Sequence, residues 1–293
     1  MTVAFLFWFS VTLIVYTYFG YPILVTLFAK TRRSALLQRG SPPSITLLIA
    51  AYNEEAVIEG KLRNSLALEY PRDKLQILVV SDGSSDRTPE IVGRFSADGV
   101  ELMHSPERRG KMAAINRAMP HARGDVIVFS DANNYYQPDT LIHLTTPFSD
   151  EKIGAVSGSK VIDRGDGNLG ASEGLYWKYE SFIKKQESRL GSCTSVAGEI
   201  FALRKNLYAP PPNNIINDDF YIGMQAIRQG YRLVYVPEAK SSERVSASAK
   251  DEIIRRTRIN AGRYQVISLA SQVLPKSPLL VWQIASHKFM RPL

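Results

Sequence analysis

From residue 44 onward, blocks of apolar residues alternate with amphipathic stretches. Ser44–Ala51 (SITLLIAA), Leu75–Ser81 (LQILVVS), Val100–His104 and Asp125–Ser130 (DVIVFS) read as strands. Between them, Asn53–Leu68, Asp86–Ser96 and Gly110–His121 read as helices, the second capped by Ser84 or Ser85. Strands that are apolar throughout, alternating with helices, predict an α/β fold with a mostly parallel sheet covered on both faces. Residues 170–190 read as an amphipathic helix with Leu175, Tyr179 and Phe182/Ile183 on one face. Asp163–Gly170 reads as a loop, and residues 219–229 as a further helix.

The first thirty residues break this rhythm. Val3 to Ala29 carries no charged residue, and as a helix it would cover about 40 Å, more than a hydrocarbon core needs. Tyr16, Tyr18 and Tyr21 suit a membrane interface, and Pro22 kinks or ends the helix. A signal peptide starts with basic residues and has a shorter apolar core, so an anchor is the better reading. Lys30, Arg32 and Arg33 follow at once and place that end in the cytoplasm, at the inner (plasma) membrane. Residues 31–43 read as a polar linker closing on Pro42-Pro43.

Composition narrows the chemistry. The 36 Lys and Arg exceed the 28 Asp and Glu, for a net charge of +8. That surplus suits phosphate or acidic lipid, and no nucleic-acid motif accompanies it. Cys193 is the single cysteine, so no intrachain disulfide forms. No CxxC or HExxH occurs, which argues against zinc.

Ligands of open α/β sheets bind at the carboxyl ends of the strands. Three strands end in polar clusters: Tyr52-Asn53-Glu54-Glu55, Asp82-Gly83-Ser84-Ser85-Asp86 and Asp131-Ala132-Asn133. Any one of these could be only a helix cap or a turn. Three in sequential strands point to one site.

These motifs are familiar. AAYNEE at 50–55, VVSDGSSD at 79–86, RRGKMAAIN at 108–116 and FSDANNYYQPDTL at 129–141 resemble family 2 glycosyltransferases of GT-A fold, the group of membrane polysaccharide synthases and lipid-linked sugar transferases. AGEIFALRK at 197–205, NDDFYIGMQAIRQGYRLVYVPEA at 217–239 and RRTRINAG at 255–262 extend the resemblance over residues 44–250 and into the segment beyond. The resemblance implies a nucleotide sugar donor, usually a UDP-sugar, a glycan or lipid-linked acceptor, and inversion at the anomeric carbon. Tyr52, Glu54 and Asp82 would line the nucleotide pocket, and Lys111 would lie near donor phosphate or sugar. Asp131 and Asn133 match the DxD motif, which holds Mg²⁺ or Mn²⁺ on the donor diphosphate. Asn133 brings no charge and could equally be a turn residue beside Asn134. Asp219 in NDDF matches the general base, with Asp218 as a like-charged neighbour or helix cap.

Ile253–Gly262 resembles the family's Q(Q/R)xRW motif. Arg256 and Arg258 match its arginines, Arg255 stands at the glutamine position and Ile259 at the tryptophan. Arginine suits diphosphate binding, and a basic patch on acidic lipid is the competing account. Residues 251–293 read as an Arg-rich, amphipathic segment lying along the membrane. SHKFMR at 286–291 resembles the family segment that precedes further membrane helices, so either a longer parent chain or a member that lost those helices is expected. Two alternatives stand beside the enzyme: a non-catalytic nucleotide-sugar-binding subunit of a membrane complex, and a nucleotidyltransferase. The anchor and the late NDD and Arg motifs speak against the second.

Overall fold

The computed structural model describes residues 2–32, 40–162, 168–243 and 249–291. Arg33, most of the expected linker and the start of the expected 163–170 loop lie outside the described residues.

The chain opens with α1 (Thr2–Val15) and α2 (Tyr21–Lys30), joined without a break by a π-helical turn at Tyr16–Gly20. Pro22 has no N–H to donate back along the helix, and a widened turn just before it absorbs the missing bond. The 29-residue stretch Thr2–Lys30 is long and apolar enough to cross a membrane.

Next come β1 (Ile45–Ala51), α3 (Ile58–Leu66), β2 (Leu75–Asp82), α4 (Thr88–Gly93), β3 (Val100–Ser105), α5 (Lys111–Ala118) and β4 (Val126–Asp131). β3, β2, β1 and β4 lie side by side and are all parallel. Leu48, Leu78 and Ile127 enter the apolar core on one face, and their neighbours Leu47, Val79 and Val128 enter the core on the other. Burial on both faces is why these strands carry no polar alternation.

The second half contains β5 (Asn134–Tyr136), α6 (Thr140–Thr145), β6 (Ile153–Ile162), α7 (Asn168–Leu190), β7 (Phe201–Arg204), α8 (Asp218–Arg228), β8 (Arg232–Glu243), α9 (Ala249–Ser268), α10 (Ala270–Val273) and α11 (Pro278–Ile284). The eight strands form one sheet in the order β3-β2-β1-β4-β7-β6-β8-β5. β7 is antiparallel to both its neighbours, so the sheet is mixed rather than mostly parallel.

Two helices start later than their sequence pattern suggests. Asn53 takes a left-handed backbone at φ 53°. The Glu54 amide donates to Thr88 Oγ1 and the Glu55 amide to Asp86 Oδ2, so residues 53–55 tie two loop tips together instead of starting α3. At α4 the Thr88 amide is taken by Asp86 Oδ1, not by Ser84 or Ser85. Ser84 Oγ instead accepts the Asn53 amide.

The anchor is not a detached rod. α1 buries nothing, whereas α2 buries Tyr21, Val25 and Ala29, one helical stripe, against Ile183 and Leu190 of α7. The chain's end returns to the same place. His287 lies between Glu180 and Glu187 of α7, at 3.1 and 2.8 Å, and Arg291 pairs with Glu180. Both residues are buried, so this part of the tail docks on the protein.

Candidate active site

β1 and β4 pair in register up to Ala50 opposite Asp131, which puts Asp131 at the carboxyl edge of the sheet. The Lys111 ammonium, from the first turn of α5, lies 2.8 Å from Asp131 Oδ1 and 3.5 Å from Asp218 Oδ2. Burial pushes the Asp131 carboxyl up, but Lys111, Lys61 and Lys160 outweigh it and hold the group ionised. Burial works against the Lys111 charge, and Asp131 and Asp218 more than restore it.

Asp218 and Asp219 occupy the first turn of α8, where the free N–H groups favour negative charge. Asp219 Oδ1 accepts the Phe220 amide at 2.7 Å. Gly198 makes room for this carboxylate, since a Cβ there would stand 3.2 Å from Asp219 Oδ2. Burial, and then the Asp218 charge, lift the Asp219 carboxyl to about 6.

The helix carrying the arginines is fastened to the loop that leads into α8. Gln265 Oε1 accepts the Ile216 amide, and Asn217 Nδ2 donates to the Ile259 carbonyl at 3.2 Å. Gly262 lets the two pieces meet, because a Cβ there would stand 2.5 Å from Asn217. Arg255, Arg256 and Arg258 therefore face the same cavity of about 530 Å³ as Lys111, Asp131 and Asp219.

The expected nucleotide residues form a second group outside that cavity. Asp82 ends β2, two strand spacings from Asp131, or roughly 10 Å. Its Oδ2 accepts the Arg109 and Gly110 amides at 2.9 and 2.7 Å. Its Oδ1 is buried without a hydrogen bond, with Arg117 Nη1 3.5 Å away. Gly83 sits against the Arg108 backbone at φ 70°, too close for any Cβ. The Arg108 guanidinium covers the Tyr52 ring at 3.8 Å. Burial and the charges of Asp131 and Asp86 raise the Glu54 carboxyl.

Several participants carried no signal that the sequence reading used. Lys160 pairs with Glu243 and lies 3.6 Å from Glu199 Oε1, which is buried without a hydrogen bond. Asn133 does not line the cavity; its Nδ2 donates to Glu243 at 2.9 Å. Its neighbour Asn134 is fully buried and receives Lys61 Nζ on both its carbonyl and its Oδ1. Burial lowers the Lys61 ammonium to about 7.

For a hard divalent cation, Asp131 supplies one ionised oxygen donor. No group of three or more acidic, His or Cys side chains that could hold a metal occurs among the described residues. This donor set fits a cation completed by substrate phosphates and water, and not one caged by protein alone.

The family described as "Glycosyltransferase like family 2" matches residues 42–262. The β-monoglucosyldiacylglycerol synthase of Trichormus variabilis is 30% identical over 187 residues, 62% of this chain and 40% of that protein. The poly-β-1,6-N-acetyl-D-glucosamine synthase of Staphylococcus aureus strain COL is 30% identical over 204 residues, 67% of this chain and 48% of that protein. The chain thus spans under half the length of these curated relatives. A mannosyltransferase from Pyrobaculum calidifontis, solved with GDP-Man and Mn²⁺, superposes with a TM-score of 0.79 at 26% identity, covering 96% of this chain and 81% of that one. Staphylococcus aureus TarS, at 16% identity and a TM-score of 0.54, shares the fold. With the motifs in order, the GT-A sheet and a profile match from residue 42 to 262, the chain belongs to glycosyltransferase family 2.

Proposed function

We propose that this glycosyltransferase moves a sugar from a nucleoside diphosphate sugar to a hydroxyl of a glycan or lipid-linked acceptor, with inversion, at the cytoplasmic face of the inner membrane. The observation that carries the reading is the meeting in one cavity of Asp131, its Lys111 partner, Asp219 and the α9 arginines. The acceptor O–H passes its proton to Asp219 while its oxygen attacks the anomeric carbon. The bond to the diphosphate breaks on the opposite side, and the nucleoside diphosphate leaves with the electron pair. A carboxyl near 6 is ionised at neutral pH and still basic enough to assist. Lys111 and Arg255, Arg256 and Arg258 meet the charge that develops on the leaving group.

Mg²⁺ or Mn²⁺, held by Asp131 and the donor phosphates, would supply Lewis-acid neutralisation of the diphosphate. Tyr52, Glu54 and Asp82 form the nucleotide end, where Asp82 Oδ1, which makes no hydrogen bond and has only the Arg117 guanidinium at 3.5 Å, would accept from a base or ribose. The Thr2–Lys30 helix, followed by Arg32, supports a membrane anchor with the catalytic domain on the cytoplasmic side.

The test is incubation of the purified full chain with a panel of UDP- and GDP-sugars, Mn²⁺, and lipid and glycan acceptors, with mass detection of products. One donor should be consumed and its sugar found on an acceptor. Tight nucleotide-sugar binding without hydrolysis or transfer would instead establish a non-catalytic binding subunit.

A further inference from the structure

The cavity does not end at the catalytic carboxylates. Lys288, Arg263 and Arg291 also line it, together with Tyr176, Tyr179 and Tyr18, the last from the π-helical turn within the apolar helix. The Tyr179 hydroxyl donates to the Tyr18 carbonyl at 2.6 Å, so this wall is built partly from the anchor itself. Lys184, Arg263, Lys288 and Arg291 line the cavity here beside Glu180, with Asp219 close enough to act on Lys288.

Arg291 is 6% exposed, and its Nη1 is buried with no hydrogen-bond partner while its Nη2 binds Glu180. No salt bridge or hydrogen bond ties Arg263 or Lys288 to a described residue; each has only longer-range charges near it. A buried guanidinium nitrogen left without an acceptor destabilises the fold, unless a ligand supplies the acceptor. Four cations against Glu180 and Asp219 leave a positive surplus that suits an anion. Phosphate oxygens match it best, since arginine binds phosphate in its fork geometry.

Resting on the proposed transfer reaction, we propose that Arg263, Lys288 and Arg291 form an acceptor subsite for a lipid-borne phosphate or diphosphate, with its accepting hydroxyl turned to Asp219 and its hydrocarbon leaving along α2. The phosphate is a handle and not the nucleophile. A phosphate is already ionised and would not need a base, and Asp219 would repel it. The aromatic wall of Tyr18, Tyr176 and Tyr179 suits the first carbons of a lipid tail. The place where the tail would leave is the place where the chain's own apolar helix docks.

The test needs no sugar donor. Binding of dodecyl phosphate, dodecanol and inorganic phosphate to the full chain in neutral detergent is measured for the parent protein and for Arg263→Gln and Lys288→Gln. Dodecyl phosphate should bind, dodecanol should not, and each variant should weaken dodecyl phosphate at least tenfold. Nucleoside diphosphate affinity and melting temperature should stay within error in both variants. Equal binding of dodecanol, or unchanged affinity in both variants, would overturn the subsite. Inorganic phosphate binding as tightly as dodecyl phosphate would overturn its lipid part. Loss of nucleoside diphosphate binding in step with dodecyl phosphate would assign the cations to the donor instead. Failure of every nucleotide sugar to be transferred would defeat the proposed function and leave this measurement standing.

Discussion

At Asp219, burial and the Asp218 charge act against the Phe220 amide and the Lys288 and Lys111 charges. The first two win and set it near 6, which has two opposite consequences with pH. A base acts only when ionised, so the transfer rate should fall about tenfold per unit below that value and level off above it. A rate profile across that range that stayed flat would remove Asp219 as the base. Stability runs the other way. A carboxyl with a raised folded pKa weakens the fold above its unfolded value near 3.9, and does so fully once pH passes about 6. Asp219→Asn should therefore raise the melting temperature at about pH 8, and the gain should vanish by about pH 4. Asn134 is a structural counterpart. It bonds Lys61, Ser130, the Glu199 carbonyl and Ser241 while fully buried. Asn134→Leu strands these groups and should cost about 3 kcal/mol or more in denaturant unfolding. The pattern DANN did not separate Asn133 from Asn134, because burial, not residue type, distinguishes them.

At the level of elements, the parallel half of the sheet was legible because both faces of β1, β2 and β4 are buried and their sequences are apolar throughout. The insertion of antiparallel β7 between β4 and β6 was not. Its four residues, Phe201–Arg204, carry no marker of direction. Helix starts were misread where side chains serve another loop, as at Glu54 and Glu55. The placement of α9 likewise rests on contacts distant in sequence: Gly262 against Asn217, and Gln265 on the backbone of Asn214 and Ile216. Gly262→Val should push α9 and its arginines away from α8. Transfer should fall at least tenfold, a loss of about 1.4 kcal/mol in transition-state stabilisation, with circular dichroism unchanged. Unchanged turnover would show that the α9 arginines act without this close approach.

Across the whole molecule, the anchor, α7 and the returning tail form one packed unit beside the active site. The motifs marked the candidate catalytic residues, but nothing local announced that His287 would meet carboxylates about a hundred residues earlier. Removing residues 2–15 should leave the melting temperature unchanged, since α1 buries nothing. Removing residues 2–30 also exposes Ile183 and Leu190 and should lower it by several degrees. Burial works against the His287 charge, but Glu180 and Glu187 outweigh it and raise its pKa. Its contribution is then present below the unfolded value near 6.5 and lost as pH rises through the raised one, so His287→Gln should destabilise most in mild acid. The cavity between α8 and α9 is proposed as the sugar-transfer site, with Asp219 as its base. The direct measurement compares Asp219→Asn with the parent protein for donor binding and for transfer, side by side. The account predicts nucleotide-sugar affinity within about twofold and transfer lowered by about 10²–10⁴-fold. Transfer at the parent rate in that variant would contradict it.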